Sequence, residues 1–326
     1  MQRAVTGQAL GAVIGFTADA VFADPRRGHP VAAFGRAAGA LERVLYRDHR
    51  GAGALYTALA VGTVALGATA LEHRATPLRR TATAALATWT VLGASSLLRE
   101  ARTIGAALAA EDLAAARERL PHLCGRDPSA LDGQQIARAV VESVAENTAD
   151  AVVNALVWGA LAGSPGLLAF RAVNTLDAMV GHKSPRYRRF GWAAARLDDL
   201  AGWPGARLTA LLTVAAADSP GTAWRVWRRD GGSHPSPNAG QAESAFAGAL
   251  GVRLGGTLRY GDGGTPKVGV PPAEGSGRVE HRPVLGAELR PVAVTDIERA
   301  CRLSRRVGLL ALGTTVVARL LWKGHK

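Results

Sequence analysis

"AGALYTALAVGTVALGATAL", residues 52–71, is a run of 20 residues without a charged side chain, and it decides the class of the fold. Arg50 precedes the run, and Glu72, His73 and Arg74 follow it. At a rise of about 1.5 Å per residue, a helix of this length covers the roughly 30 Å hydrocarbon core of a bilayer. The run therefore predicts a helix that crosses a membrane.

Other apolar runs repeat this pattern. Residues 81–98, between Arg80 and Arg99, are also free of charge. Three more runs contain one charged residue each: 4–22 with Asp19, 200–217 with Arg207, and 307–322 with Arg319. Arg319 lies near the end of its run, where a long side chain is expected to reach the lipid interface. We predict an all-α, polytopic integral membrane helical protein with about five membrane segments. Buried helices of a soluble, alanine-rich protein are the alternative.

The organisation predicted along the chain is a single membrane domain over residues 1–326. Residues 218–300 are interpreted as a long polar loop region, with a flexible Gly/Pro-rich part at 262–280. The start of the chain is interpreted as a retained first span and not as a signal peptide. Only Arg3 precedes its apolar run, and a polar turn follows directly.

The formal net charge is +13, carried largely by arginines in the loops. No nucleic-acid-binding motif accompanies this charge, so no nucleic-acid partner is expected. Basic loops beside anionic lipid headgroups, or around a phosphorylated substrate, account for it more simply. Cys124 and Cys301 fit neither a disulfide framework nor a metal motif.

Polar side chains recur every fourth residue where a polar segment leads into the apolar run 151–170. Glu142, Glu146, Asp150 and Asn154 would share one face of an α-helix. A solvated helix face explains the first two. Polar groups carried toward hydrocarbon are costly unless they are paired or bound to a cation. Carboxylates with adjacent amides suit a hard ion such as Mg²⁺, which also bridges to substrate phosphates.

A second polar segment follows the apolar run. Its helical part carries Asn174 and Asp177 on one face and is predicted to end at Gly181. A basic loop comes next, and such a cluster can bind a phosphate, while its histidine can move a proton near neutral pH. The members of the loop are His182, Lys183, Arg186, Arg188 and Arg189. A basic collar at a lipid surface is the alternative, above all for the last two.

The sequence "GSPG", residues 163–166, interrupts the apolar run between these two polar segments. The residue before a proline avoids the helical region, so a break is predicted here. Residues 151–163 would then cover only about 20 Å, too little to cross a bilayer. A re-entrant hairpin, which enters and leaves on the same face, would bring both polar segments to one aqueous pocket.

Two further polar patches contain prolines that fix turns. In "ADPRRGHPVAAFGR", residues 23–36, Asp24 and His29 lie in such turns near Arg26, Arg27 and Arg36. In "SHPSPNAGQAESAFAGALGVRLGG", residues 233–256, a stiffened loop leads into a helix for which Asn238 is the expected N-cap. Its other polar residues are His234, Ser236 and Gln241. Simple turn chemistry is the alternative for both patches.

With these motifs, the sequence resembles the adenosylcobinamide-phosphate synthase family of cobalamin biosynthesis, the polytopic CobD/CbiB proteins. The resemblance covers nearly the whole chain, because four long motifs occur in the family's order. They are ADPRRGHPVAAFGR (23–36), GRDPSALDGQQIARAVVESVAENTADAVV (125–153), FRAVNTLDAMVGHKSPRYRRFGWAAARLDDL (170–200) and HPSPNAGQAESAFAGALGVRLGG (234–256). Four ordered motifs are a far more specific signal than any one of them.

The resemblance implies an amide-forming ligase in the cell (plasma/inner) membrane. The family joins aminopropanol phosphate or ethanolamine phosphate to a propionate carboxyl of adenosylcobyric acid, giving adenosylcobinamide phosphate. ATP and Mg²⁺ are expected, because a carboxylate must be activated, as an acyl phosphate, before an amine attacks it. The implied partners are the corrinoid, the amino alcohol phosphate, the lipid bilayer and other enzymes of the cobalamin pathway.

The resemblance supports the motifs, and for the implied reaction we assign roles to their polar residues. The residues assigned as metal ligands are Glu142, Glu146, Asn147 and Asp150. The residues assigned as catalytic are His182, Glu146 and Asp150. The residues assigned to substrate and phosphate binding are Lys183, Arg186, Asn174, Asp177, His29, His234 and Asn238.

Two other functions fit an acidic patch beside a bilayer. One is an ion-coupled transporter, which predicts ionisable residues in several spans, whereas residues 52–71 and 81–98 contain none. The other is a Mg²⁺-dependent membrane transferase that acts on a lipid alcohol or a lipid diphosphate.

Overall fold

The structure is a computed structural model that describes residues 2–24, 28–73, 75–129, 131–260 and 278–324. Its early helices are α1 (Gln2–Phe22), α2 (Pro30–Leu45), α3 (Arg50–His73), α4 (Pro77–Leu92), α5 (Ala94–Ala109) and α6 (Leu113–Arg119). A 3₁₀ turn (Leu120–His122), α7 (Gly133–Asn147), a π-helical turn (Thr148–Val153) and α8 (Asn154–Val180) follow. The remaining elements are α9 (Tyr187–Phe190), α10 (Trp192–Ala216), α11 (Pro220–Asp230), α12 (Ala239–Leu250), β1 (Leu254–Tyr260), β2 (Arg278–Leu285) and α13 (Thr295–Gly324).

Four helical segments of the described chain are long and apolar enough to cross a membrane. They are Val5–Phe22, Arg50–His73, Pro77–Ala109 and Gly133–Val180. The first three coincide closely with the predicted spans 4–22, 52–71 and 81–98, although Gly93 breaks the third between α4 and α5. The predicted spans in α10 and α13 are helical but do not combine the same hydropathy with so few charges. The all-α, polytopic membrane class is thus confirmed.

The chain forms two units. Unit 1 comprises residues 1–96, 149–208 and 308–326, and unit 2 comprises residues 97–148 and 209–307. In unit 1, α1 and α4 pack closely because Gly7, Gly11 and Gly15 repeat every fourth residue along one face of α1. A Cβ added at Gly11 would lie 2.6 Å from the Ala84 Cβ, which is nearer than real Cβ atoms approach. Small residues at this spacing allow transmembrane helices to approach closely.

The predicted break in the apolar run is confirmed at Gly163, which has φ 72° and ψ −160° inside α8. The carbonyl oxygen of Trp158 lies 2.6 Å from a Cβ added at Gly166, and a Cβ added at Gly159 would lie 3.7 Å from the Leu167 Cβ. Eight residues of a straight helix would separate these positions by about 12 Å. The two halves of α8 therefore form a helical hairpin that turns at Gly163.

Polar side chains hold the tip of this hairpin. Ser164 N donates to Glu72 Oε1 at 3.3 Å, at the start of the second half, and Gln8 Nε2 donates to both oxygens of Glu72 at 2.7 Å. Arg319 NH1 donates to the carbonyls of Gly159 (3.0 Å) and Ala160 (2.6 Å), at the end of the first half. The two broken helix ends thus receive a carboxylate and a guanidinium, the charges that their dipoles favour.

Two expectations for this region need correction. Arg319 does not reach the lipid interface, because it is only 6% exposed and is bound to the hairpin carbonyls. Asp150 lies in the π-helical turn Thr148–Val153, so the polar residues 142–154 are not on one regular α-helical stripe. A π-helical turn contains more residues per turn than an α-helix, which shifts the faces before and after it.

In unit 2, the segment 218–300 differs from the expected long loop. It contains α11, α12, the start of α13 and a two-stranded antiparallel sheet formed by β1 and β2. The part of the Gly/Pro-rich segment 262–280 up to residue 277 lies outside the described residues, as do Arg26 and Arg27, and residues 278–280 belong to β2. Helix α12 is buried on every side, including Ala242, Ala245 and Phe246. Unit 2 therefore has a helical core onto which the sheet packs.

Candidate active site

The predicted site residues fall into two groups, one in each unit. Those in unit 1 are His29, Asp150, Asn174, Asp177, His182, Lys183 and Arg186. Those in unit 2 are Glu142, Glu146, Asn147, His234 and Asn238.

The polar cluster of unit 1 is centred on Arg171 of α8. Arg171 interacts electrostatically with Asp24 and Asp150, and its NH1 lies 3.5 Å from Asn174 Oδ1. Asp24 Oδ1 lies 3.6 Å from His29 Nε2, while His29 Nδ1 accepts a hydrogen bond from the backbone at the start of α2. The structure therefore brings His29, Asp150 and Asn174 near one guanidinium, which the sequence did not single out.

The second half of α8 ends at Gly181, as predicted. A Cβ at Gly181 would overlap the Asp177 carboxylate, so a larger residue here would displace this side chain. The side chain of Asn174 donates from Nδ2 to Asp198 Oδ1 of α10 at 3.4 Å. Asp177 and Asn174 thus have roles in packing the end of α8, and their predicted substrate-binding roles stay predictions.

The basic loop after Gly181 is not a uniform cluster of cations. Arg186 NH2 lies 3.1 Å from Glu42 Oε1, and its guanidinium stacks 4.0 Å from the centre of the Tyr46 ring. Lys183 is exposed. The His182 ring packs edge-on against Tyr187, and this partial removal from water lowers the pKa of His182, so that the neutral form is favoured at pH 7. The position of the Arg186 side chain is therefore set by its contacts with Glu42 and Tyr46 in unit 1.

A second polar cluster, in unit 2, is built on α7. Arg138, Glu142 and Glu146 follow at four-residue spacing on this helix, and Glu142 is only 2% exposed. Glu142 Oε2 forms a buried ion pair with Arg126, and its Oε1 accepts a hydrogen bond of 2.6 Å from Gly255 N. Arg138 Nε lies 3.9 Å from the same oxygen. Glu142 is therefore fixed by donors from three parts of unit 2.

The backbone of β1 reaches Glu142 because of two adjacent glycines. Gly255 and Gly256 have φ values of 80° and 90° and form a bulge in the pairing with β2. A Cβ on Gly255 would overlap the carbonyl oxygen of Pro283, and one on Gly256 would lie 3.2 Å from Arg138 NH1. Glycine at both positions lets Gly255 N point at the carboxylate, and it lets Arg138 approach the strand.

Glu243 of α12 completes this cluster and was not found from the sequence. It is 1% exposed, and its Oε1 lies 4.0 Å from His234 Nε2. Burial, followed by the neighbouring carboxylates Glu142 and Glu146, raises the pKa of Glu243 well above its usual value. Arg282 of β2 and Arg126 oppose this shift. A glutamate inside an alanine-rich helix with no polar face was the sequence signal for such a site.

The loop before α12 orients His234. Its Nδ1 accepts a hydrogen bond of 3.0 Å from Ser236 N, and its Nε2 lies 2.9 Å from Arg282 NH1. Asn238 occupies the predicted N-cap position but makes no side-chain capping bond. Ser236 Oγ instead accepts from the backbone N–H groups of Asn238 and Ala239. Ser236 thus has two roles: its Oγ caps α12, and its N–H positions the His234 imidazole.

A Mg²⁺ ion at the predicted ligands would need several oxygen atoms free to coordinate it. Among the described residues, no three His, Cys, Asp or Glu side chains are grouped to hold a metal ion. Both oxygens of Glu142 already face protein donors, and Asn147 Nδ2 donates to Ser143 O at 2.9 Å. The described residues therefore show no preformed Mg²⁺ site, and the four assigned ligands stay a prediction.

Both cysteine thiols are expected to react slowly with alkylating agents in the folded protein. Burial raises the pKa of Cys124, next to this cluster, and raises that of Cys301 to about 11. Because the thiolate is the reactive form, a shift from 9 to about 11 lowers its fraction at pH 7.5 about 100-fold. Labelling with N-ethylmaleimide, followed by mass spectrometry, checks this, and Cys124→Ser and Cys301→Ser assign each site. Rapid labelling of native Cys301 would contradict its burial, and rapid labelling of native Cys124 would contradict its raised pKa.

Known proteins show what this chain is similar to. A family model described as "CobD/Cbib protein" matches residues 12–304. The chain belongs to the CobD/CbiB family. This membership confirms the resemblance of the four motifs to the adenosylcobinamide-phosphate synthases and identifies the chain as an enzyme of that family.

Three relatives, each named "Cobalamin biosynthesis protein CobD", match most of their length. That of Mycobacterium tuberculosis H37Rv is 50% identical over 96% of this chain and 96% of the relative. That of Geobacter metallireducens is 42% identical over 87% and 88%, and that of Rhizobium meliloti is 41% identical over 89% and 92%. No solved structure matches significantly. The CobD/CbiB relatives support a role in cobalamin biosynthesis.

Proposed function

We propose that this CobD/CbiB protein forms the amide bond between adenosylcobyric acid and an amino alcohol phosphate. The amino alcohol phosphate is aminopropanol phosphate or ethanolamine phosphate, and the product is adenosylcobinamide phosphate. The observation that carries the proposal is the family match over residues 12–304, which includes every predicted site residue. The role in cobalamin biosynthesis implies a corrinoid substrate. The amino alcohol phosphate as second substrate is part of the proposal.

The chemistry sets three requirements on the site. A carboxylate is a poor acyl donor, and ATP with Mg²⁺ would supply its activation. The amino alcohol phosphate carries a phosphate, which cationic side chains bind, and an ammonium, which carboxylates bind. The ammonium must lose a proton to a base before the amine can attack. The cluster of Glu142, Glu146, Glu243, Arg126 and Arg282 offers both kinds of group in a water-poor setting.

The chain's own residues limit water at this site. Glu243 and Glu142 are almost fully buried, and strand β1 contacts the α7 carboxylate Glu142 through Gly255 N. Exclusion of water favours aminolysis over hydrolysis of an activated carboxyl group and strengthens the interactions with charged substrates. The four apolar helical segments support a membrane protein, and we place it in the cell (plasma/inner) membrane with multiple spans.

Product formation by the purified full-length protein tests this proposal directly. Incubation in detergent with adenosylcobyric acid, ATP, Mg²⁺ and ethanolamine phosphate or aminopropanol phosphate is expected to give the corresponding amide, detected by mass spectrometry. Omission of ATP or Mg²⁺ is expected to abolish the product. A reaction mixture that contains every component and folded protein, yet yields no corrinoid amide with either amine, would refute the proposal.

A further inference from the structure

The turn of the α8 hairpin lines a small cavity in unit 1. The cavity has a volume of about 30 Å³, and its polar lining side chains include Gln8, Ser164 and Arg319. Most of the other lining side chains are apolar, among them Leu156 and Leu167. A water molecule needs about 10–15 Å³ of such space, so the cavity has room for about two molecules of this size.

Two buried polar atoms at this cavity lack a hydrogen-bond partner. Ser164 is 4% exposed and Arg319 is 6% exposed. Ser164 Oγ and Arg319 Nε are enclosed, yet neither has a partner within the part of the chain that the structure describes. Arg319 NH1, by contrast, donates to the carbonyls of the hairpin. An unmet polar group inside a protein is costly, so these two atoms indicate a ligand that can form hydrogen bonds with both.

Gln8 adds an acceptor to the cavity wall. Its Nε2 donates to both oxygens of Glu72, which leaves Oε1 as an acceptor, and this oxygen would lie 2.9 Å from a Cβ added at Gly163. The polar atoms thus comprise one donor, one acceptor and one hydroxyl that does both: Arg319 Nε, Gln8 Oε1 and Ser164 Oγ. The guanidinium disfavours a cation here, and the neighbouring Glu72 carboxylate disfavours an anion. A water molecule, which is neutral and both donates and accepts, matches this set.

We infer that this cavity is a binding site for one or two ordered water molecules, which link Arg319 Nε to Ser164 Oγ and Gln8 Oε1. The break in α8 supports the same conclusion. Non-helical backbone at membrane depth is tolerated where it is buried in protein or lines a water-filled cavity. Gly163 is the non-helical residue of a segment long and apolar enough to cross a membrane, and it lines this cavity.

The bound water has a defined role in the hairpin. It completes the hydrogen bonding of the arginine that caps the first half of α8 and of the serine that begins the second half. The site uses none of the residues assigned to the reaction, so it stands whether or not the proposed amide formation does.

X-ray hydroxyl-radical footprinting of the full-length protein in nanodiscs tests this inference, because radicals formed from bound water oxidise the side chains next to it. Leu156 and Leu167 line the cavity and are 2% and 3% exposed. Leu176, of the same helix, is 0% exposed and lies in a hydrophobic cluster, so it is the matched control. Tandem mass spectrometry is expected to show that both cavity leucines are oxidised several-fold faster than Leu176. Equal rates for the three leucines would overturn the inference.

Ser164→Val links this oxidation to the polar site, because it removes the hydroxyl and fills part of the cavity. The variant is expected to lose most of the excess oxidation of Leu156 and Leu167. Ser164→Ala, which only removes the hydroxyl, gives the same comparison if the valine variant does not fold. Thr69→Val, at an exposed position of α3 in the same unit, is the matched control and is expected to behave like the wild type. Undiminished oxidation in folded Ser164→Val would overturn the inference, since the radicals would then come from elsewhere.

Replacement of chloride by gluconate separates water from a small anion in the same cavity. The oxidation rates of Leu156 and Leu167 in the wild type are expected to stay the same in both salts. Faster oxidation in gluconate would mean that chloride had kept water out of the cavity, and it would overturn the inference.

Discussion

Asp296→Asn is expected to destabilise unit 2 by about 2–4 kcal/mol. Asp296 is fully buried at the start of α13 and accepts hydrogen bonds from Arg290 (2.7 and 2.8 Å), Arg299 (2.6 Å) and Ala293 N (2.8 Å). Asparagine removes the charge that both guanidiniums face. The effect stays below that of a fully buried pair, because both arginine side chains still reach water. Unfolding by SDS in mixed micelles measures this free energy.

The pH dependence of this effect has a definite sign. Burial alone would raise the pKa of Asp296, but the hydrogen bonds from Arg290, Ala293 N and Arg299 hold it below its usual value. A carboxyl group with a lowered pKa contributes stability that is complete above its unfolded pKa of about 3.9, and that is lost as the pH falls through the folded value. The difference between wild type and Asp296→Asn is therefore constant from pH 5 to 8 and shrinks below about pH 4.

Asp218→Asn is the matched control in the same unit. Its carboxylate is 87% exposed and lies 3.3 Å from Arg306 NH1, so its loss is expected to change the free energy of unfolding by less than about 0.5 kcal/mol. Equal effects of Asp218→Asn and Asp296→Asn would show that the network around Asp296 does not stabilise unit 2.

Gly163→Ala is expected to destabilise the hairpin of α8 by about 2–5 kcal/mol. The backbone of Gly163 has φ 72° and ψ −160°, a region that residues with a Cβ rarely adopt. The added Cβ would also lie 2.5 Å from Gln8 Nε2, the group that holds the Glu72 carboxylate. Thermal unfolding in detergent and the yield of folded protein in membranes measure the effect.

The matched control for this change is Gly62→Ala in α3. A Cβ at Gly62 has no heavy atom within 4 Å, and alanine favours a helix by about 1 kcal/mol over glycine. Gly62→Ala is therefore expected to be neutral or stabilising. A Gly163→Ala variant as stable as the wild type would mean that residues 158–167 do not turn back in the folded protein.

The membrane helices could be predicted from the sequence because their signal, a run of apolar residues, lies in consecutive positions. A charge-free run such as 52–71 has no alternative to burial or lipid, and Pro165 with Gly163 marked the hairpin turn. The sheet was missed, because its strands flank a Gly/Pro-rich segment and pair across residues 261–277. Strand pairing of this kind depends on partners distant in sequence, which local patterns do not specify.

The sequence motifs contain part of the unit 2 cluster. Glu142, Glu146 and His234 were selected from their motifs, and the structure places them in one unit 2 cluster. Glu243 was not selected, because a single glutamate in a helix usually faces water. Its burial follows from the packing of α12 on every side, a tertiary property. The π-helical turn at Thr148–Val153 also could not be foreseen, since nothing in the sequence TADAVV distinguishes a π-helical turn from an α-helical one.

The arginine that caps the α8 hairpin is synthesised long after the hairpin itself. Arg319 closes the helix end at Ala160 but follows it by 159 residues. At about 5–20 residues per second, the ribosome delivers this cation on the order of ten to thirty seconds after the hairpin itself. During that interval the carbonyls of Gly159 and Ala160 must be hydrated or held by the insertion machinery. A nascent chain arrested before α13 should therefore expose the hairpin tip to water-soluble labels, and release of the full chain should protect it.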